Sequence, residues 1–207
     1  MNIKGMSLGP IGTNCYIIYE GKEALLIDPG AEVEKISAFL YQNNFHLQAI
    51  LLTHAHFDHI GALEEIREHT GAEVFIHENE VSWLSDPMKN GSGRMQDSEI
   101  TASPAEFTLN PGKMQLGPFN FTVLHTPGHS PGSVSFVFEE EQFIVSGDVL
   151  FYQGIGRTDL YGGNRNELEM SIRNQLYPLD DTYTVYPGHG PETTIGMEKQ
   201  RNPFVRI

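Results

Sequence analysis

Thr53-His54-Ala55-His56-Phe57-Asp58-His59 is the run on which the reading of this chain turns. It follows the apolar stretch 49–53 (AILLT), which reads as a buried strand. It precedes residues 61–69, where Leu63 and Ile66 sit at helical spacing and Gly71 supplies a stop. Three imidazoles and a carboxylate behind a buried strand are costly to desolvate without partners, so a purely structural explanation is poor. Metal ligation explains the run better. His54 and His56, two residues apart, can share one ion, while Asp58 and His59 can face another.

Working outward, three later clusters repeat the chemistry. His125-Thr-Pro-Gly-His129, Ser146-Gly-Asp148 and Tyr186-Pro-Gly-His189-Gly each set a histidine or aspartate beside glycine at the end of an apolar run. Glycine there lets backbone approach a ligand closely. Imidazole and carboxylate donors without cysteine suit zinc, iron(II) or manganese rather than a thiolate zinc site. By contrast His46, His69 and His77 stand in helical or loop contexts without such neighbours and read as ordinary histidines.

The whole chain is consistent with a soluble enzyme. Its 207 residues suit one domain, 1–207, large enough to bury a core. The formal charge of −14 disfavours nucleic acid and anionic membranes as partners. The one cysteine, Cys15, lies in an apolar run and reads as a small buried hydrophobe. No signal-peptide core and no run approaching a membrane span is visible, so the expected location is cytoplasmic.

Strands are expected at 14–19, 23–27, 49–53, 73–76, 119–125, 134–138, 143–146 and 183–186. Helices are expected near 32–43, 61–69, 167–176 and 192–199. Residues 84–104 are polar and aperiodic and read as an irregular loop or flap.

THAHFDH (53–59), HTPGHSPGSVSF (125–136), SGDVLF (146–151) and YPGHG (186–190), in this order, resemble the metallo-β-lactamase fold superfamily over nearly the whole chain. The resemblance implies an α+β fold, a four-layer αββα sandwich with a dinuclear site at one edge. A histidine directly after the motif aspartate, with Asp148 and no ligand cysteine, looks like the glyoxalase II branch, and argues against penicillin hydrolysis.

Carried over by motif, His54, His56 and His129 would hold one divalent ion and Asp58, His59 and His189 a second, with Asp148 bridging. Zinc is the expected metal, with iron(II) or manganese as alternatives. The implied reaction is hydrolysis of a small-molecule thioester of the hydroxyacylglutathione type by a bridging hydroxide, with Asp58 orienting it. The rival readings are a mononuclear iron persulfide dioxygenase and a lactonase or phosphodiesterase on the same centre. The C-terminal helical domain of full-length glyoxalase II has no counterpart in these residues.

Two further residues enter at this level. Arg157, in GIGRTDL (154–160), is a candidate grip for a substrate carboxylate, with a salt bridge to Asp159 as the equal alternative. Asp28, in the IDPG stretch, resembles a residue that buttresses a ligand histidine, with a turn or helix cap as the alternative. His125 reads as strand-end packing.

Overall fold

The computed structural model describes residues 1–206. They form two compact units: residues 1–109 with 115–119, and residues 110–114 with 120 onward.

The first unit is built on a six-stranded sheet. Its strands are β1 (Asn2–Leu8), β2 (Thr13–Glu20), β3 (Glu23–Ile27), β4 (His46–Leu51), β5 (Val74–His77) and β6 (Phe107–Leu109), in that order across the sheet. β1 to β3 form an antiparallel meander, and β3 to β6 run parallel. Parallel neighbours require a crossover. Between β3 and β4 it is α1 (Val33–Gln42), which buries Ile36 and Leu40. Between β4 and β5 it is the short α2 (Phe57–Ile60) and α3 (Leu63–Thr70), which ends on Gly71 at φ 70°. The core joins Ile17, Leu26, Ile50, Leu63, Ile66 and Trp83. Each such side chain, fully buried, contributes roughly 1.5–3 kcal/mol.

Residues 84–104 carry two single-turn helices, α4 (Pro87–Asn90) and α5 (Ser92–Met95). Polar residues hold this segment from inside. Asn90 is fully buried and donates to the carbonyls of Trp83 and Ile100, at 3.2 and 2.8 Å.

The second sheet contains β7 (Gly112–Leu116), β8 (Phe119–His125), β9 (Val134–Phe138), β10 (Phe143–Gly147), β13 (Thr184–Pro187) and β14 (Thr193–Thr194). Its order is β14-β13-β10-β9-β8-β7, with β10 and β13 parallel. A small hairpin of β11 (Leu150–Phe151) and β12 (Gly154–Ile155) follows β10. Helix α6 (Arg165–Ser171) then begins on Asn164, whose side chain accepts from the amides of Asn166 and Glu167. It continues as a π-helical stretch, Ile172–Leu176, and α7 (Ile195–Arg201) closes the chain. The core of this unit joins Ile144, Leu150, Leu168, Ile172, Val185 and Ile195. No helix among the described residues is long and apolar enough to cross a membrane.

Candidate metal centre

In the first unit, the turn after β4 is organised by Asp28, at the end of β3. Asp28 adopts φ 52°, a left-handed backbone that aspartate tolerates. Its Oδ1 accepts from the Thr53 amide at 2.8 Å, and its Oδ2 accepts from Thr53 Oγ1 at 2.6 Å and from His59 Nδ1 at 2.9 Å. Thr53 Oγ1 spends its proton on Asp28, so His54 Nδ1, 3.0 Å away, is the donor in that contact. Both His54 and His59 therefore carry their proton on Nδ1 and present Nε2 as the lone-pair nitrogen. Asp28 is not the helix cap; that position belongs to Glu32.

The loop is pinned further along. Ala55 N donates to Glu80 Oε2 at 2.6 Å, and Glu80 is fully buried. The rings of His54 and His56 stand nearly perpendicular, 4.8 Å apart, and those of His54 and His59 lie 4.1 Å apart. Asp58 sits in the first turn of α2, where a Cβ on Gly30 would overlap its carbonyl oxygen. Asp58 Oδ2 accepts from Thr13 Oγ1 at 2.7 Å and lies 3.5 Å from His59 Nε2. Beside Asp58 opens a cavity of about 270 Å³, walled by Leu8, Pro10, Ile11, Phe57 and Ile100, with Glu32 at its edge. The Gly9 amide, donating at 2.9 Å, holds the Glu32 carboxyl below its ordinary pKa.

In the second unit, His129, Asp148 and His189 are brought together from the ends of β8, β10 and β13. His129 Nδ1 donates to the Arg157 carbonyl at 2.8 Å, which again leaves Nε2 as the lone-pair nitrogen. His129 Nε2 and His189 Nε2 each lie 3.5 Å from Asp148 Oδ2. Gly188 N donates to the Gly147 carbonyl at 2.8 Å and ties the Asp148 and His189 loops together. A Cβ on Gly156 would overlap the Asp148 carbonyl and stand 3.1 Å from His129 Nδ1. Gly156 was not singled out from the sequence; its place inside GIGRTDL carries no mark of this close approach.

These spacings fit a divalent ion. Ligand bonds of roughly 2.0–2.2 Å at a tetrahedral angle put donor atoms about 3.4 Å apart. Asp58 with His59, and Asp148 with His129 and His189, stand 3.5 Å apart, longer than a good hydrogen bond. The donors are nitrogen and oxygen only. Cys15 is fully buried in β2, and burial pushes its thiol pKa well up.

The remaining sequence candidates fall into place. Arg157 turns its guanidinium fork onto Asp159, Nε to Oδ1 at 2.7 Å and Nη2 to Oδ2 at 2.8 Å. Those bonds lower the Asp159 carboxyl to about 2. His125 ends β8 and donates from Nε2 to the Pro131 carbonyl at 3.0 Å. His77 departs from its reading as a helical or loop residue. It ends β5, is buried, and its Nδ1 accepts from the Asn79 amide at 3.3 Å.

The metallo-β-lactamase superfamily model matches residues 8–189. The chain is 38% identical over 208 residues to hydroxyacylglutathione hydrolase GloC of Haemophilus influenzae, covering 99% of this chain and 98% of that one. Among solved structures it is similar to BLEG-1 B3 metallo-β-lactamase, with 48% identity and a TM-score of 0.96 over 99% of each chain. It is also similar to TTHA1623 in a di-iron-bound form, with 37% identity and a TM-score of 0.88 over 98% of this chain and 100% of that one. With its motif residues, its two sheets and its nitrogen–oxygen donor clusters accounted for, the chain belongs to the metallo-β-lactamase superfamily, as one of its metallo-hydrolases.

Proposed function

We propose that the chain hydrolyses thioesters of the hydroxyacylglutathione type at a centre of two divalent cations. In this reading His54, His56 and His129 hold one cation, Asp58, His59 and His189 hold the other, and Asp148 serves both. When bound, the cations would supply Lewis acidity toward a carbonyl oxygen and lower the pKa of water toward neutrality. Zinc is the expected metal, and iron(II) or manganese accept the same donors.

The observation that carries the reading is the Asp28–His59 hydrogen bond. A buried carboxylate that fixes the tautomer of the histidine directly after Asp58 is what a second cation site needs, since it leaves Nε2 facing Asp58. The name of GloC and the di-iron form of TTHA1623 support the same assignment.

The residues then divide the work. Asp58 is the catalytic residue: it orients the attacking water and takes its proton. Water adds to the thioester carbonyl, the carbon–sulfur bond breaks, and the thiolate leaves without a strong general acid. The cavity beside Asp58, largely apolar, with Thr13, Gln96 and two carboxylates and with no cationic side chain in its wall, suits a neutral acyl group. The Arg157 guanidinium is the candidate grip for a carboxylate on the thiol carrier, in exchange for Asp159.

One observation favours a second reading, β-lactam hydrolysis: the 48% identity to BLEG-1. A panel of glutathione and neutral thioesters, run beside a chromogenic cephalosporin on protein of measured metal content, tests the two. Turnover of thioesters at least 100-fold above that of the cephalosporin is expected; the reverse preference would overturn the proposal.

A further inference from the structure

We infer that Thr13 is a positioning residue that aims the Asp58 carboxylate, and so sets the strength of one cation site; the inference rests on the two-cation reading above. Thr13 opens β2 and is 2% exposed. Its Cα pairs with Leu8, the last pair of a β1–β2 ladder that starts at Asn2 and Tyr19. The hydroxyl is thus carried by the closed end of a rigid hairpin, far along the chain from Asp58. Thr13 Oγ1 donates to Asp58 Oδ2 at 2.7 Å, a charge-assisted bond.

The oxygen it holds is the one that matters. Asp58 Oδ2 also faces His59 Nε2 at 3.5 Å, the separation of two donors on one ion. A carboxylate oxygen accepts along two lone-pair directions. Thr13 takes one of them and thereby sets where the other points.

The backbone under Asp58 is already fixed, because Gly30 packs against its carbonyl oxygen more closely than any Cβ permits. The torsions χ1 and χ2 are the freedom that remains, and the Thr13 hydroxyl removes it. An ordinary buried threonine at a strand start would need only some backbone or solvent partner. This one reaches a carboxylate 45 positions away, beside an imidazole that Asp28 has already oriented.

The test measures metal affinity rather than turnover. Chelated wild type, Thr13→Val, Thr13→Ala and Thr13→Ser are titrated with zinc chloride against a chromogenic chelator, with folding followed by circular dichroism. Valine keeps the shape and β-propensity and removes the donor. Wild type is expected to take two zinc ions. In Thr13→Val and Thr13→Ala the weaker step loses about 10- to 100-fold in affinity. Thr13→Ser restores it to within a few-fold, a rescue that a packing role would not produce. In an Asp58→Asn background, adding Thr13→Val changes nothing further.

Two zinc ions bound by both donorless variants with wild-type affinity would overturn the inference while leaving the two-cation reading intact. So would a serine variant as weak as valine. A wild type that takes one zinc ion would overturn that reading itself. Should Thr13→Val not fold, Thr13→Ala against Thr13→Ser decides the question.

Discussion

His59 Nδ1 donates to Asp28 Oδ2 at 2.9 Å across 31 positions of the chain, with the side chains 0% and 1% exposed. Asp28 thereby fixes which nitrogen of His59 carries the lone pair, and through Thr53 it does the same for His54. Asp28→Asn is close to isosteric but puts amide protons where acceptors are required. Isothermal titration with zinc should show about 10- to 100-fold weaker binding at one site. His59→Ala should lose that site and most thioester turnover. Wild-type affinity in Asp28→Asn would mean that the carboxylate is structural only.

Gly156 makes a sharper prediction because its neighbour provides a control. In Gly156→Ala the new Cβ meets the Asp148 carbonyl and His129 Nδ1, so the segment must move and both donors with it. A displacement near 1 Å in such a site costs about 100-fold in rate. In Gly154→Ala the Cβ meets the Phe151 side chain at 3.4 Å and the Tyr152 carbonyl at 3.8 Å, ordinary van der Waals contacts, and the variant should stay within a few-fold of wild type. Equal kcat/KM for the two variants would contradict this geometry.

The Arg157–Asp159 pair predicts a pH effect and a substrate effect. Asp159 titrates at about 2, below an ordinary carboxylate, chiefly through its hydrogen bonds to Arg157. The folded value is depressed, so whatever the pair contributes is present above the unfolded carboxylate pKa and is lost as pH falls toward about 2. Carboxyl NMR of Arg157→Gln should show Asp159 back near the usual range. If Arg157 grips the thiol carrier, Asp159→Asn lowers KM for a glutathione thioester several-fold and Arg157→Gln raises it. KM for a neutral thioester is unaffected by either change.

Much of this was legible in the sequence because burial leaves a strong mark. β3, β8 and β9 match the expected apolar runs over their full spans, and α3 stops on the glycine expected to stop it. β1 and β7 left no such mark. They are edge strands with mostly exposed residues, such as Lys4 and Lys113, so no apolar alternation is required of them. The segment 84–104, whose polarity reads as an irregular loop, carries two single-turn helices and bonds inward through Asn90, which local sequence does not record.

The seven proposed donor residues stood out because imidazoles and carboxylates packed behind a buried strand, with others beside glycines at later strand ends, are costly to bury without a ligand. Their supports did not stand out. Thr13, Glu80 and Gly156 are common residue types whose roles come from a partner brought near by folding, and nothing local to them records it. Asp28 was visible only through its motif.

The proposed thioester hydrolysis rests on two cations and the residues around His59. The direct measurement titrates zinc into the chelated protein while following hydrolysis of S-D-lactoylglutathione. Turnover is expected to climb to its maximum at two equivalents in wild type and to stay near baseline in His59→Ala. A maximum at one equivalent, or a fully loaded protein that leaves the thioester intact, would contradict the proposal.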